Sequence, residues 1–163
     1  FDFTLDAQDG APLPSGCGKQ LCTVTVNAGS RDHSATFGSI TYSAGNATYT
    51  YFVTENSGSI NALHYSQAKY KVVVTVAKND AGAWTASVTS VTKVTDDGGD
   101  AVSESRDVTQ PVDFTNHYIA VSALPLTGGS TGRQWLLVAG GIGGLAALLI
   151  GAAGMWNGRK RLV

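Results

Sequence analysis

The chain contains few of the residues that bind metal ions in proteins. Its 163 residues include two cysteines and three histidines. His33, His64 and His117 are scattered along the sequence, and Cys17 and Cys22 lie in one short segment. Structural metal sites usually need about four such ligands brought together. No glycine-rich phosphate-binding loop is present either, so the sequence predicts neither a metal site nor a bound cofactor.

The chain also has few charged residues, and positive charge is scarce before its C-terminal end. Charged side chains make up 14% of the sequence, and the formal net charge is −1. Up to Thr127 there are 7 Lys and Arg against 12 Asp and Glu, which gives this part a net charge of −5. Proteins that bind nucleic acids use clusters of Lys and Arg against the phosphate backbone. The sequence therefore predicts no nucleic-acid partner.

Charge is absent altogether from residues 135–156, an apolar span of 22 residues. A span of this length can cross a hydrocarbon core of about 30 Å as a helix, and the tryptophan at each end suits the membrane interface. The residues that follow include Arg159, Lys160 and Arg161, which favour the cytoplasmic side. We therefore predict one C-terminal transmembrane helix over 135–156 and a cytoplasmic basic tail over 157–163.

The polar linker before this span, residues 120–134, contains the pentapeptide Leu124-Pro125-Leu126-Thr127-Gly128. Together with the apolar span and the basic tail, this pentapeptide resembles the cell-wall sorting signal of Gram-positive surface proteins. The resemblance implies that a sortase cleaves between Thr127 and Gly128 and joins Thr127 covalently to peptidoglycan or to another pilin subunit. The alternative for the tail is a permanent membrane anchor.

The sorting signal also implies where the protein is found. Before cleavage, the precursor spans the plasma membrane with its C terminus in the cytoplasm. After cleavage, the protein is expected in the cell wall, at the surface of a Gram-positive bacterium. Cys17 and Cys22 are then in an oxidising compartment, and a local disulfide between them is the leading interpretation.

Residues 1–119 lack helical periodicity and alternate apolar with polar side chains. Such alternation is typical of a half-buried β-strand. Turn-forming residues separate the alternating runs, as in the segment Asp96-Asp97-Gly98-Gly99-Asp100. Short strands at this spacing predict an all-β domain with an immunoglobulin-like β-sandwich. The predicted strands lie at residues 1–5, 22–26, 36–42, 49–53, 70–76, 84–91 and 112–116.

Several of these strands carry sequence motifs in a recognisable order. The motifs are Phe1-Asp2-Phe3-Thr4-Leu5, Thr36-Phe37-Gly38-Ser39-Ile40-Thr41-Tyr42, Tyr49-Thr50-Tyr51-Phe52-Val53-Thr54-Glu55, His64-Tyr65, Tyr70-Lys71-Val72-Val73-Val74 and Phe114-Thr115-Asn116-His117-Tyr118. In this order they resemble the pilin isopeptide-linkage domain, the FctA-type relative of the CnaB fold in Gram-positive pilins and adhesin stalks. The third and the last motif are the most specific.

The resemblance implies an internal cross-link between two side chains. In this family a lysine amine condenses with an asparagine on the last strand, ammonia leaves, and a buried glutamate assists. Carried over, Asn116 is the amide that is attacked and Glu55 is the acid/base. Tyr51, Phe114 and Tyr118 would supply the dry pocket that a neutral amine and a protonated carboxyl need. Because the reaction occurs once per chain, the chain is not expected to be an enzyme.

Without the resemblance, the two site residues have ordinary interpretations. A glutamate at the end of a strand, such as Glu55, is most often solvated. An asparagine near a strand end, such as Asn116, is most often a turn or cap residue.

The reactive lysine has no clear counterpart in this sequence. In the family it lies before the Phe-x-Phe strand, and here no residue precedes Phe1. The internal lysines fit poorly because two should face away from the core, two lie in loop-like sequence and one is near a strand end: Lys69, Lys71, Lys19, Lys78 and Lys93. We therefore expect the chain to be a C-terminal fragment whose lysine lies upstream of Phe1. The alternative is a domain that has lost the cross-link.

Two functions of different classes fit these features. The first is a structural or stalk module of a pilin or surface adhesin, anchored by sortase and stiffened by an internal isopeptide bond. The alternative is a ligand-binding adhesin domain without that bond, which contacts a host surface ligand through its loops. A third and weaker hypothesis is a wall-anchored enzyme whose catalytic domain lies upstream.

Overall fold

The computed structural model describes residues 1–27, 29 and 33–119, together with the backbone of 145–149. All regular structure in these residues is β-strand, as the alternation predicts. The strands are β1 (Asp2–Ala7), β2 (Leu21–Thr25), β3 (Ser34–Thr36), β4 (Ala47–Glu55), β5 (Leu63–His64), β6 (Lys69–Lys78), β7 (Trp84–Thr95), β8 (Ala101–Arg106), β9 (Val112–Thr115), β10 (His117–Tyr118) and β11 (Leu145–Leu149).

Six strands form the main sheet, in the order β2-β1-β4-β6-β7-β8, and every neighbouring pair is antiparallel. Strand β6 shows how the sequence determines which face of this sheet is buried. Tyr70, Val72, Val74 and Val76 are buried, and the residues between them are half-buried or exposed. One buried face and one solvated face are usual for an antiparallel sheet. The face predicted for this strand from the sequence is thus confirmed.

Two smaller sheets complete the described fold. In one, β5 pairs with β10, and His64 lies opposite His117. The other has the order β3-β11-β9, in which β11 runs parallel to β3 and antiparallel to β9. Strands β3 and β9 therefore leave a place for one strand between them, which we call the β3–β9 slot, and Leu145–Leu149 lies in it.

Residues 145–149 also belong to the span for which the sequence predicts a transmembrane helix. The structure does not support a helix at these residues, because they are extended and pair with β3 and β9 along both edges. Within the described part of the chain, no helix is long and apolar enough to cross a membrane. The rest of the predicted span, the linker with its motif at 124–128 and the basic tail lie outside the described residues.

The strand predicted at residues 36–42 is wrong. Strand β3 ends at Thr36, and the chain continues as a loop in which Phe37 and Ile40 are buried. Gly38 has a φ of 90°, a backbone conformation that a strand does not contain and that favours glycine. The apolar side chains in this segment therefore indicate burial correctly, but they do not indicate an extended backbone.

The core packs against the inner face of the main sheet and is rich in aromatic rings. Phe3, Tyr70 and Phe114 are among its largest fully buried side chains. The centroid of the Phe114 ring lies 5.1 Å from that of Phe3 and 5.3 Å from that of Tyr70. Phe114 thereby packs β9 against β1 and β6 of the main sheet, and this packing determines where the end of β9 lies.

A disulfide joins Cys17 to Cys22 in the structure, with their Cα atoms 4.8 Å apart. Cys22 is buried in β2, and Cys17 lies in the loop between β1 and β2. The bond ties this loop to the strand at one edge of the main sheet.

Removing this disulfide should lower the free energy of unfolding by about 2 kcal/mol. The two cysteines are five residues apart, and closing so short a loop restricts the unfolded chain only modestly. Urea unfolding of the chain beside a Cys17→Ser/Cys22→Ser variant measures the difference. A reductant should bring the parent to the level of the variant, whereas equal midpoints for the oxidised parent and the variant would contradict the expectation.

Candidate functional site

Four polar or charged residues are buried in the described part of the chain, and all four belong to one connected group: Glu55, Ser66, Lys93 and Asn116. Hydrogen bonds join Glu55 to Asn116 and Asn116 to Ser66. The partly exposed Asp97 joins Ser66 to Lys93. Burial of polar groups is costly unless they are paired. Their concentration at a single place is therefore the main functional signal in the fold.

Glu55 reaches this group from the last position of β4. Tyr51, Val53 and Glu55 alternate along the buried face of that strand, so the carboxyl points into the core. Only 8% of Glu55 is exposed. The ordinary interpretation of a solvated strand-end glutamate therefore does not apply to it.

Asn116 reaches the group from the loop between β9 and β10. Val112, Phe114 and Asn116 are all buried, so they share the inner face that the sequence predicts for them. Asn116 Nδ2 donates a hydrogen bond of 2.8 Å to Glu55 Oε1. Asn116 Oδ1 accepts one of 2.6 Å from the backbone N–H of Ser66. The side-chain amide is thus held at both ends.

Glu55 is suited to hold and transfer a proton. Burial raises the pKa of its carboxyl, although the hydrogen bond from Asn116 and the nearby backbone N–H of Ser66 oppose this rise. Its second oxygen, Oε2, is buried and has no hydrogen-bond partner within the described residues. An unpaired buried carboxyl oxygen is costly unless it is protonated or meets a donor. A donor at this oxygen would remove that cost.

The raised pKa of Glu55 predicts how stability depends on pH. Above pH 4.5, the usual pKa of this carboxyl, Glu55 keeps its proton more often in the folded chain than in the unfolded chain. The contribution of Glu55 to stability is therefore full below pH 4.5 and is lost as the pH rises through the raised pKa. The stability of the chain relative to a Glu55→Gln variant should fall over this range. Urea unfolding at a series of pH values measures it, and a constant difference would contradict the assignment.

The aromatic surroundings of the pair agree only in part with the sequence-based expectation. Tyr51 is buried on β4, the strand that carries Glu55, and Phe114 is buried on β9 just before Asn116. Tyr118 is 55% exposed and does not wall a dry pocket. It lies on β10, whose two residues are both exposed.

Lys93 is the lysine that the sequence places near a strand end and makes a poor candidate for the reactive amine. In the structure it lies within β7 and is buried. It pairs in register with Tyr70, next to an irregularity in the β6–β7 ladder. Irregularities of this kind re-aim side chains. Lys93 Nζ donates to Asp97 Oδ2 at 2.6 Å. Among the described residues, no lysine donates to Glu55 or Asn116.

Two further members of the group were missed by sequence reasoning. In the sequence, Asp97 is recognisable only as part of a turn. Ser66 contributes a backbone N–H, which has no signature in a sequence. The sequence predicts no metal site. Among the described residues, no group of three or more His, Cys, Asp or Glu side chains could hold a metal ion.

The arrangement presents an amide whose carbonyl oxygen accepts a hydrogen bond and whose nitrogen faces a carboxyl. This geometry favours attack by an amine at the amide carbon of Asn116, with Glu55 as the proton carrier.

No curated protein and no solved structure matches the chain. Residues 1–119 match the model of the FctA family, described as the Spy0128-like isopeptide containing domain. The chain therefore belongs to this family, and its described part is an all-β domain of the pilin type.

Proposed function

We propose that this chain is a stalk module of a Gram-positive pilin or surface adhesin, stiffened by an isopeptide bond that forms within the chain. The observation that carries the proposal is the buried contact of 2.8 Å between Glu55 Oε1 and Asn116 Nδ2. A carboxyl in this position touches the nitrogen that must leave. Membership of the FctA family supports a pilin-type surface module in general.

The proposed reaction has three steps at Asn116. A neutral lysine amine attacks Cγ, and the electron pair of the Cγ–Oδ1 double bond moves to Oδ1. Glu55 takes a proton from the attacking nitrogen and gives one to Nδ2. The Cγ–Nδ2 bond then breaks, ammonia leaves, and the carbonyl re-forms as an amide between the two side chains. Glu55 ends in its starting state, yet each chain reacts only once, so we infer that the protein is not an enzyme.

The amine is proposed to come from a lysine outside residues 1–163, on a strand that lies beside β9. Within the described residues, Lys93 is committed to Asp97, and Lys19, Lys71 and Lys78 are exposed. Lys69 Nζ lies 4.1 Å from the centroid of the Phe52 ring. The β3–β9 slot accepts a strand that ends opposite Thr115, the residue next to Asn116. We propose that a lysine on such a strand meets Glu55 Oε2, which has no hydrogen-bond partner within the described residues.

Anchoring to the cell wall by sortase is the second part of the proposal. Cleavage between Thr127 and Gly128 would release the segment that contains residues 145–149. The β3–β9 slot would then be free for the strand that carries the lysine. The partners in this account are a sortase and the amine of peptidoglycan or of another pilin subunit.

Resistance to mechanical force tests the stalk function. A bond between strands near the two ends of a domain prevents the segment between them from extending. In single-molecule stretching, the protein with its lysine-bearing strand should show no extension of the linked segment, and an Asn116→Ala variant should show it. Equal extension of the two proteins would contradict the proposal.

Cleavage of the sorting motif is tested separately. A purified sortase and a glycine nucleophile should yield a product that ends at Thr127 joined to glycine, as measured by intact mass. A Pro125→Ala variant should react more slowly, because Pro125 restricts the backbone before the cleaved bond. A parent that is not cleaved would leave the permanent membrane anchor as the account of the tail.

A further inference from the structure

The turn between β7 and β8 is built to carry Asp97 inward. The Asp96 carboxylate accepts hydrogen bonds from the backbone N–H groups of Gly98 and Asp100, which closes the turn. Gly99 has a φ of 98°, and a Cβ there would lie 2.8 Å from the side-chain oxygen of Gln67. The positive φ favours glycine at this position, and the Gln67 side chain would have to shift to admit a Cβ.

The same turn is fixed to the loop between β5 and β6. The backbone N–H of Gln67 donates to the carbonyl of Asp97 at 3.1 Å. The side-chain amide of Gln67 donates to the carbonyl of Gly98 at 3.3 Å. Ser66, which precedes Gln67, is therefore held at a set distance from the turn.

The Asp97 carboxylate is fully engaged on the inner side of this contact. Its Oδ1 accepts from Ser66 Oγ at 2.6 Å and from the backbone N–H of Thr115 at 2.8 Å. Its Oδ2 accepts from Lys93 Nζ at 2.6 Å. Asp97 thus holds Ser66 on one side and the residue before Asn116 on the other.

The consequence is a short hydrogen bond on the atom where negative charge would develop. The backbone N–H of Ser66 donates to Asn116 Oδ1 at 2.6 Å. When an amine attacks Cγ, this oxygen becomes an oxyanion. A fixed donor at this distance stabilises the charge without reorganisation. After ammonia leaves, the same oxygen is the carbonyl of the new amide and still accepts the bond.

We propose that the Ser66 backbone N–H is the oxyanion donor of the cross-linking reaction and that Asp97 is the residue that positions it. The inference rests on the proposed function, since it assigns a role within the same reaction. It adds to the Glu55–Asn116 pair a catalytic backbone group and a positioning carboxylate on separate loops.

Lys93 is the charge partner of Asp97 in this arrangement and is not the attacking amine. Burial would lower the pKa of Lys93, but its hydrogen bond to Asp97 and the nearby Tyr70 raise it above its usual value. Burial would likewise raise the pKa of Asp97, but the hydrogen bonds from Lys93, Ser66 and Thr115 lower it. Both groups stay charged at neutral pH, and a protonated amine cannot attack a carbonyl.

The test compares rates of cross-linking in the protein that carries its lysine-bearing strand and ends at Thr127, as it would after sortase cleavage. The protein is made by cell-free synthesis, samples are quenched over time, and the loss of ammonia is measured by intact mass. Asp97→Asn removes the charge, and Ser66→Ala removes the hydroxyl anchor while the N–H remains. We expect each to slow cross-linking by about tenfold to a hundredfold, since small displacements of a catalytic group have effects of this size.

Two controls separate positioning from general stability. Asp107→Asn changes an exposed turn aspartate that also accepts from a backbone N–H and a hydroxyl, both from Thr109, at 2.9 and 2.7 Å. Cys17→Ser/Cys22→Ser lowers stability away from the site. Both should link at close to the parental rate. The Ser66 amide proton resonance should also lie far downfield in the parent and move upfield in Asp97→Asn.

Each outcome decides the inference. If Asp97→Asn and Ser66→Ala link as fast as the parent, the positioning role is overturned while the proposed function stands. If both are slowed no more than the variant without the disulfide, Asp97 acts only on stability and the inference is again overturned. If Asp97→Asn does not fold, Ser66→Ala decides, because it retains the ion pair with Lys93. A parent that never loses ammonia overturns the proposed function and this inference together.

Discussion

Replacing Glu55 with glutamine should give a folded domain in which the cross-link does not form. Glutamine has the same shape, and its oxygen can still accept the hydrogen bond that Asn116 Nδ2 donates to Glu55 Oε1. It cannot take a proton from the attacking amine or deliver one to the leaving nitrogen. General acid–base groups contribute about 10²–10⁴-fold to rate, so linking should slow by at least about a hundredfold. Intact mass over time after synthesis measures it.

The chain offers a matched control for this variant. Its other glutamate is Glu104, an exposed residue on β8. Glu104→Gln should lose ammonia at the parental rate. Circular dichroism and urea unfolding establish that Glu55→Gln is folded. A folded Glu55→Gln protein that links as fast as the parent would remove Glu55 from the mechanism.

Replacing Phe114 with alanine should produce the largest loss of stability among the substitutions considered. Phe114 is fully buried, and its ring packs against those of Phe3 and Tyr70. Truncating such a side chain removes apolar contacts and leaves a cavity, which typically costs about 3–5 kcal/mol. This is a large share of the roughly 5–15 kcal/mol that stabilises a domain. Urea unfolding of the chain measures the loss.

The effect of Phe114 should extend to the site, because the residue lies two positions before Asn116 on the same buried face. Tyr118→Ala is the control, since Tyr118 is 55% exposed. Its free energy of unfolding should stay within about 0.5 kcal/mol of the parent. A loss below about 1 kcal/mol for Phe114→Ala would mean that β9 is not packed on the core as described.

Sequence patterns predicted the fold where one face of a strand is buried and the other is solvated. The alternation along β6 gave its core residues correctly, and the same pattern placed Phe114 and Asn116 on one face. Strand β8 was missed because it is a mostly exposed edge strand with few apolar residues. Edge strands carry little burial signal, and propensity alone is weak.

Only those site residues that belong to the family motifs could be predicted from the sequence. Glu55 and Asn116 came from the resemblance, and the structure brings them into contact. Asp97 could not be recognised, because a turn aspartate that faces solvent and one that faces the core look alike in sequence. The burial of Lys93 could not be predicted, because it depends on an ion pair with Asp97 that forms only when the turn is folded. Contacts of this kind arise from tertiary packing.

The measurement that tests the central claim most directly is the intact mass of the reduced protein, made with its lysine-bearing strand and ending at Thr127, beside an Asn116→Ala variant. The account predicts that the parent is lighter than its sequence by one ammonia and that the variant has its full mass. Fragmentation should then locate the missing ammonia at Asn116. A folded parent with its full mass would contradict the account, and Glu55 and Asn116 would then be a buried hydrogen-bonded pair without chemistry.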